Sequence, residues 1–392
     1  MKNQRQEIWH TIIIGAGASG LFCAGSFSAQ KLVLEHNDRA GKKLSVTGGG
    51  KCNFTNLFVS AQDYVSDNKH FCKSALSAFP PQRFIDLLQE EKIPFYEKEE
   101  GQLFSHSAPE VVRFLLKRAQ AQNTTFSYQT QVLSIQKEKD FFRVQTTKGL
   151  FYAYHIVMAC GGVSYPALGS GNFAFQTAQA LHLTVEPLRP ALVGFKAPAP
   201  WKEIFASLAG NSLPVEIKTK KHTEKGQLLF THEGISGPAV MQTSLFYHEG
   251  EKVFLNFLPE INLEEKLREN KNAPFLFSKI LANYIPAKIS KVLLQDLDVR
   301  SCEAKRETLF AVIKRLQNFE FIPSGTMGYT RAEVTAGGVS CAQFSPQTME
   351  CKTISGLFYI GEALDVTGRL GGFNLHWAWA SAHLCAEALK KK

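Results

Sequence analysis

An α/β fold is predicted by three observations. Residues 11–35, TIIIGAGASGLFCAGSFSAQKLVLE, run from an apolar strand through a glycine turn and a small-residue helix to a second strand that ends on a carboxylate. Strand-like stretches follow near 126–135, 140–147 and 150–159. The closing segment GLFYIGEALDVTGRLGGFNLHWAWASAHLCAEAL (356–389) then repeats the order strand, glycine turn, helix. Strands that alternate with helices signal a mostly parallel sheet covered on both faces.

Each position of the first motif has a mechanical reason. Gly15 allows the sharp turn out of the strand, Gly17 lets the backbone approach a pyrophosphate, and Gly20 lets the helix sit against the sheet. The N–H groups that open the helix face the phosphates. Glu35 stands twenty residues beyond Gly15, where a carboxylate accepts hydrogen bonds from ribose hydroxyls and repels a 2′-phosphate. The ligand therefore contains ADP, as FAD and NAD both do.

A second glycine-rich stretch, HNDRAGKKLSVTGGGKCNFTN, follows Glu35, and its triplet Gly48 to Gly50 suits close backbone approach to a ligand. Residues 73–92 and 109–121 have the periodicity of amphipathic helices. The third strand ends in Cys160, Gly161 and Gly162, a further chain crossing beside the cofactor, and a helix is expected after the turn at 165–175, through about Leu181. From about Leu188 prolines multiply, and PVEIKTK (214–220), QLLFTH (227–232) and EKVFLNF (251–257) read as short strands of a β-rich insertion. Residues 262–318 have helical periodicity. Phosphate-type motifs at both ends imply one nucleotide-binding domain, 1–190 with 338–392, interrupted by that insertion, and chain ends that lie close together.

At 392 residues the chain exceeds the size of a single core, so two or three domains are expected. No stretch approaches the length of a membrane span and no membrane partner is expected, and MKNQRQEIWH lacks the apolar core of a secretory signal. A cytoplasmic location is expected. The eight cysteines show neither metal-ligand nor redox-dithiol spacing; Cys52, in GGGKC near the presumed cofactor, is the one thiol to watch. The net charge of +9 can attract anions, but no compact basic and aromatic module is visible, so nucleic acid is read as an unlikely class of partner. The sequence does not give the oligomeric state.

IIIGAGASGL, GKKLSVTGGGKCNFTN, LLFTHEGISGPAVMQ, AEVTAGGVS and GLFYIGEALDVTGRLGGFNLHWAWAS together closely resemble the YhiN/BaiN-type flavoproteins, NAD(P)/FAD-dependent oxidoreductases also called aminoacetone oxidase-like. The resemblance spans almost the whole chain. It implies non-covalent FAD in a Rossmann-like domain formed by both chain ends, interrupted by a β-barrel-like domain (191–258 and 321–337) with a small helical domain (259–320) nested inside it. By matching positions, Gly15, Gly17, Ala18, Ser19 and Gly20 hold the pyrophosphate, Glu35 the ribose, and Val132 of QVLSI the adenine. Lys43, Gly50, Cys52 and Asn53 lie along the cofactor and Gly161 packs near it, while Glu362, Gly372, Phe373 and Asn374 meet its ribityl and flavin end. The chain departs from the family at GSGNFAF, where GSTGDG is usual, and at Cys160, Phe373 and His376, where threonine, tyrosine and glutamine are common.

The implied activity is an oxidoreductase in which flavin exchanges electrons with a small organic substrate, and the protein orients and tunes the cofactor. The helix opening at Gly371 to Leu375 would stabilise negative charge on the flavin. On the substrate side His232 could exchange a proton near neutral pH, Arg331 could orient a carboxylate or polarise a carbonyl, and His376 is a third catalytic candidate. With no second strand-linked glycine fingerprint, NAD(P)H would dock only transiently as electron donor. Two other readings compete: flavin-dependent modification of RNA, tRNA included, and a flavin-bound redox sensor without turnover.

Overall fold

A computed structural model describes residues 8–99 and 101–392. The opening MKNQRQE, on which the leader reading and one chain end rest, lies outside the described residues. The chain divides into two compact units: residues up to Arg189 with Val334–Lys392, and Pro190–Glu333.

The first unit is built on a seven-stranded sheet. Its centre is the strand Ile8–Ile14, whose last four residues are buried. Lys31–Leu34 and Gly149–Met158 flank it, both parallel, and Thr124–Ser127 lies beyond Lys31–Leu34. Where these strands are buried on both faces they read as continuous apolar runs, as III (12–14) and IVM (156–158) do, whereas Leu150 and Tyr154 in the outer half are exposed. The ten-residue Gly149–Met158 strand serves two neighbours on one side. Its first half pairs antiparallel with Phe142–Thr146, and Ile156 to Met158 pair parallel with Leu357–Tyr359 from the far end of the chain. Register aligns Ile14 with both Leu34 and Met158, and Met158 with Tyr359. The residues just beyond, Gly15, Glu35, Ala159 and Ile360, therefore emerge along one edge of the sheet.

Two helices from opposite chain ends meet in this unit. The helix Ala18–Ala24 packs on the closing helix Phe373–Leu389, most of whose residues are buried. Small side chains on the first helix make room for Trp377 and Trp379, each at most 1% exposed. Trp379 stacks on Phe84 (centroids 4.7 Å apart) and donates its indole N–H to the Phe54 carbonyl at 2.8 Å.

The sequence reads 126–135 as one strand, and the structure corrects it to two, Thr124–Ser127 and Val132–Lys137. Gln129 adopts φ 50° between them, and the N–H groups of Gln129 and Thr130 bond the carbonyls of Asn37 and Glu35. A long-range turn thus takes backbone groups that a continuous strand would have used. Prolines 80 and 81 likewise divide the expected 73–92 helix into Lys73–Ala78 and Pro81–Glu90.

The second unit holds a six-stranded antiparallel sheet in the order Phe195–Lys196, Gly234–Ser236, Thr223–Phe230, Ser212–Lys218, Val253–Asn256, Phe319–Phe321. Helices between Leu263 and Gln317 bury Leu263, Leu267, Ile289, Leu293, Val312 and Leu316 in the same core as the sheet residues Val215, Leu228 and Leu255. Among the described residues no helix is long and apolar enough to cross a membrane.

Candidate cofactor site

The site is assembled at the strand-end edge of the first unit. Gly15 has φ 103°, and a side-chain carbon there would lie 2.6 Å from the Ala159 carbonyl. One on Gly20 would lie 2.0 Å from the Gly15 carbonyl oxygen. Both glycines are demanded by the protein's own packing. Gly17 is different: its φ is −80°, open to any residue, and a side-chain carbon would meet nothing within 4 Å. Neither conformation nor packing explains a glycine there; a ligand that lies against the backbone does. The residues at this turn therefore fit the pyrophosphate of FAD.

Glu35 lies under the same turn, only 6% exposed. One carboxylate oxygen accepts the Ala16 N–H at 2.8 Å, and the other accepts the Asn37 N–H and side-chain amide, both at 2.9 Å. The acid thus ties strand end to glycine turn, and its remaining lone pairs can take ribose hydroxyls. Val132 opens its strand, buried, two residues past the contact between Thr130 and the Glu35 carbonyl.

At the other end of the site Lys43 and Glu362, 319 positions apart, form an ion pair at 3.0 Å. The second Glu362 oxygen accepts the Thr335 N–H at 2.8 Å, and the Thr335 hydroxyl accepts the N–H groups of Val163 (2.9 Å) and Ser164 (3.2 Å). A side-chain carbon on Gly162 would lie 2.5 Å from Glu362, and one on Gly361 would lie 2.8 Å from the Ser19 hydroxyl. Four separate segments are locked together here. Sequence reasoning names Lys43, Gly161 and Glu362 singly and misses Thr335; its only signal was its place in AEVTAGGVS.

The closing helix has no side-chain cap on its N-terminus, leaving the first N–H groups of a 17-residue helix to an outside acceptor. Gly372 before it has φ 97°, and its N–H is 3.1 Å from the side-chain oxygen of Asn53, whose nitrogen faces the carbonyls of Leu103 and Thr55. Asn374 spends its amide on the Gly368 N–H (2.8 Å) and carbonyl (2.9 Å), fixing the turn. Phe373 packs edge-on to Tyr64, whose hydroxyl donates to the Phe373 carbonyl at 2.9 Å. Gly50 (φ 83°) stands in an open loop, with nothing within 4 Å of a side-chain carbon. Cys52 beside it is fully buried, and burial pushes its thiol up to about 12, so it stays protonated.

The structure buries His376 completely, with Nδ1 2.8 Å from the Thr55 hydroxyl and the ring beside Phe79. This is a packed position in the helix core, where a substrate has no room. Desolvation lowers its pKa from 6.5 to about 4, so between those values the unfolded chain takes up a proton that the folded one refuses. The stability it contributes is full above pH 6.5 and lost as pH falls toward 4, by about 3 kcal/mol. Urea midpoints measured from about pH 7.5 to 4.5 should fall with pH, and less steeply for His376→Gln. His155, held at about 4 mainly by burial, adds a slope of the same sign in both proteins. His232 and Arg331 both fall in the Pro190–Glu333 unit, each exposed on a turn.

The chain matches the HI0933-like protein Rossmann domain over residues 9–388. It is 40% identical to a ribosomal RNA dihydrouridine synthase of Escherichia coli (strain K12) over 98% of both chains. A protein of the same name from Haemophilus influenzae is 37% identical over 97% of this chain and 98% of its own. A 3-dehydro-bile acid delta(4,6)-reductase of Clostridium scindens is 28% identical over 97% and 98%. Among solved structures, a 3-ketosteroid-delta4-(5alpha)-dehydrogenase from Rhodococcus jostii RHA1 superposes with a TM-score of 0.50 over 98% of both chains at 12% identity, a likeness of fold. The expectation that nucleic acid is an unlikely partner is overturned, because two relatives carry the name of an enzyme that modifies RNA. The criterion behind it looked for basic and aromatic residues in one contiguous run, and cations interleaved with core residues along helices do not read as one. The match is also wider than the YhiN/BaiN-type group. The chain belongs to the HI0933-like Rossmann family and is an FAD-dependent oxidoreductase.

Proposed function

We propose that this protein reduces a uracil base in RNA, ribosomal RNA first among candidates, to dihydrouracil, working in the cytoplasm with NAD(P)H as electron donor. The observation that carries the reading is the 40% identity, along nearly the full length of both chains, to a ribosomal RNA dihydrouridine synthase. In the balanced reaction the C5=C6 bond of uridine gains two hydrogens, one as hydride from NAD(P)H and one as a proton, leaving NAD(P)+. Bound FAD would supply the two-electron exchange.

The chain's own residues hold and orient. The turn from Gly15 to Gly20, with Ala18 and Ser19, would carry the pyrophosphate, Glu35 the ribose and Val132 the adenine edge. Lys43, Gly50, Cys52, Asn53, Gly161, Glu362, Gly372, Phe373 and Asn374 would border the flavin end. The uncapped helix N-terminus offers a positive electrostatic end where negative charge develops. The Lys43–Glu362 pair would keep a cation fixed beside it. His232 and Arg331 stay candidates for proton exchange and substrate orientation.

A second reading, a small organic substrate, is favoured by one observation: the reductase from Clostridium scindens is named for action on a bile acid. Its name and that of the RNA enzymes share one chemistry, reduction of a C=C bond conjugated to a carbonyl. The test incubates the purified yellow protein and NADPH with ribosomal RNA from cells that lack this protein, and digests it for mass spectrometry. Dihydrouridine should appear in proportion to enzyme. If RNA stays unmodified while small enones are turned over, the second reading replaces the first.

A further inference from the structure

An enzyme that acts on RNA needs a surface that grips a polyanion, and the inference below rests on that reading. Residues 271–315 carry nine Lys and Arg against four Asp and Glu, a net +5 out of the chain's +9. Three of the four acids are engaged nearby. Asp298 accepts the N–H and hydroxyl of Ser278 at 2.8 and 2.6 Å, Glu303 lies 3.5 Å from Arg300, and Asp296 lies 4.0 Å from Arg315.

The helix Arg306–Gln317 turns Val312 and Leu316 into the core. Arg306, Phe310 and Lys314 recur every fourth residue and form one outward stripe, with the two cations about 12 Å apart along the axis. Phe310, between them, is 69% exposed. The neighbouring helix Ala287–Leu294 buries Ile289, Leu293 and Leu294 and leaves Lys288 and Lys291 exposed. Arg315 donates to the Leu293 carbonyl at 3.1 Å, which holds the carboxyl ends of the two helices side by side.

A lone exposed phenylalanine is ordinary on a protein surface. Set between two exposed cations, it offers a π face for a base and a charge for the phosphate on either side, the combination that unpaired nucleic acid binds. A membrane-binding helix needs a broad apolar face, and this stripe exposes a single large apolar residue. We propose that Arg306, Phe310 and Lys314, with Lys288 and Lys291, form a docking surface for an unpaired RNA strand.

The test uses the full-length FAD-loaded protein and a fluorescein-labelled single-stranded RNA of roughly 20 nucleotides, followed by anisotropy between about 50 and 200 mM KCl. Phe310→Ala should weaken binding roughly 5- to 100-fold. Arg306→Glu with Lys314→Glu should weaken it at least about 10-fold and lower the salt slope by roughly 2. Charge reversal at Lys69 and Lys139, exposed residues of the other unit, should leave binding unchanged. Flavin content and spectrum should match in all forms, which shows that the variants fold. If the protein binds RNA and the stripe variants bind as tightly, the surface is wrong and the RNA reading stands. If the unaltered protein shows no salt-sensitive RNA binding, both fall. Capture of phosphatidylglycerol vesicles through the stripe, without RNA binding, also overturns the proposal.

Discussion

Gly17→Val is expected to give a folded, colourless protein. The position has ordinary backbone angles and empty space around its missing side chain, so valine costs the fold little. The same side chain would stand where the pyrophosphate must approach the turn, and FAD affinity should drop by at least about 100-fold, near 3 kcal/mol. Absorbance of the purified variant and titration with FAD check this, with far-UV circular dichroism to confirm folding. Gly20→Val is the matched contrast: its first carbon would strike the Gly15 carbonyl at 2.0 Å, and that variant should fail to fold. A yellow Gly17→Val protein at full occupancy would remove the ADP half of the site from this turn.

Trp379→Ala should be the most destabilising single change in the closing helix. The indole is fully buried, stacks on Phe84, lies 5.7 Å from Phe22 and carries the hydrogen bond to the Phe54 carbonyl. Truncation opens a cavity and strands that carbonyl, together about 4 kcal/mol. For a unit of this size the melting temperature should fall by roughly 10 °C. Trp379→Phe keeps most of the packing without the donor, and should lose about 1 to 2 kcal/mol. Thermal melts of the apo forms separate these losses from any effect on cofactor. Equal melting temperatures for Trp379→Ala and the parent would mean that the two chain ends are not joined through this residue.

Local sequence carried much of this architecture. Strand–turn–helix order at residues 11–35 and 356–389 is a short-range pattern, so both pieces and the domain they build could be read directly. Gly20 could be read too, because it must clear the Gly15 carbonyl five positions before it, and Gly15 because its positive φ is a local turn, although the Ala159 carbonyl it also clears is distant. What escaped was long-range. Nothing near Lys43 announces Glu362, nothing near Glu362 announces Thr335, and the break at Gln129 exists because a turn nearly a hundred residues earlier offers carbonyls to it. His376 misled for a related reason. A histidine at the mouth of a glycine-opened helix suggests chemistry until its ring is seen to face the core, where Thr55, 321 positions away, receives it. The RNA reading suffered in the same way: cations eight residues apart on a helix, as Arg306 and Lys314 are, make a common surface pattern, and only their exposure around Phe310 distinguishes them.

The pairing of Gly149–Met158 with Leu357–Tyr359 has a consequence for biosynthesis. While residues 190–333 are still being made, the second half of that strand has a neighbour on one edge only, Ile8–Ile14, and the helix Ala18–Ala24 lacks the wall that Phe373–Leu389 later gives it. Flavin capture at this site would have to wait until residues 357–389 have been made. A stalled or truncated nascent polypeptide would thus be both pale and sticky, a ready client for chaperones and proteases.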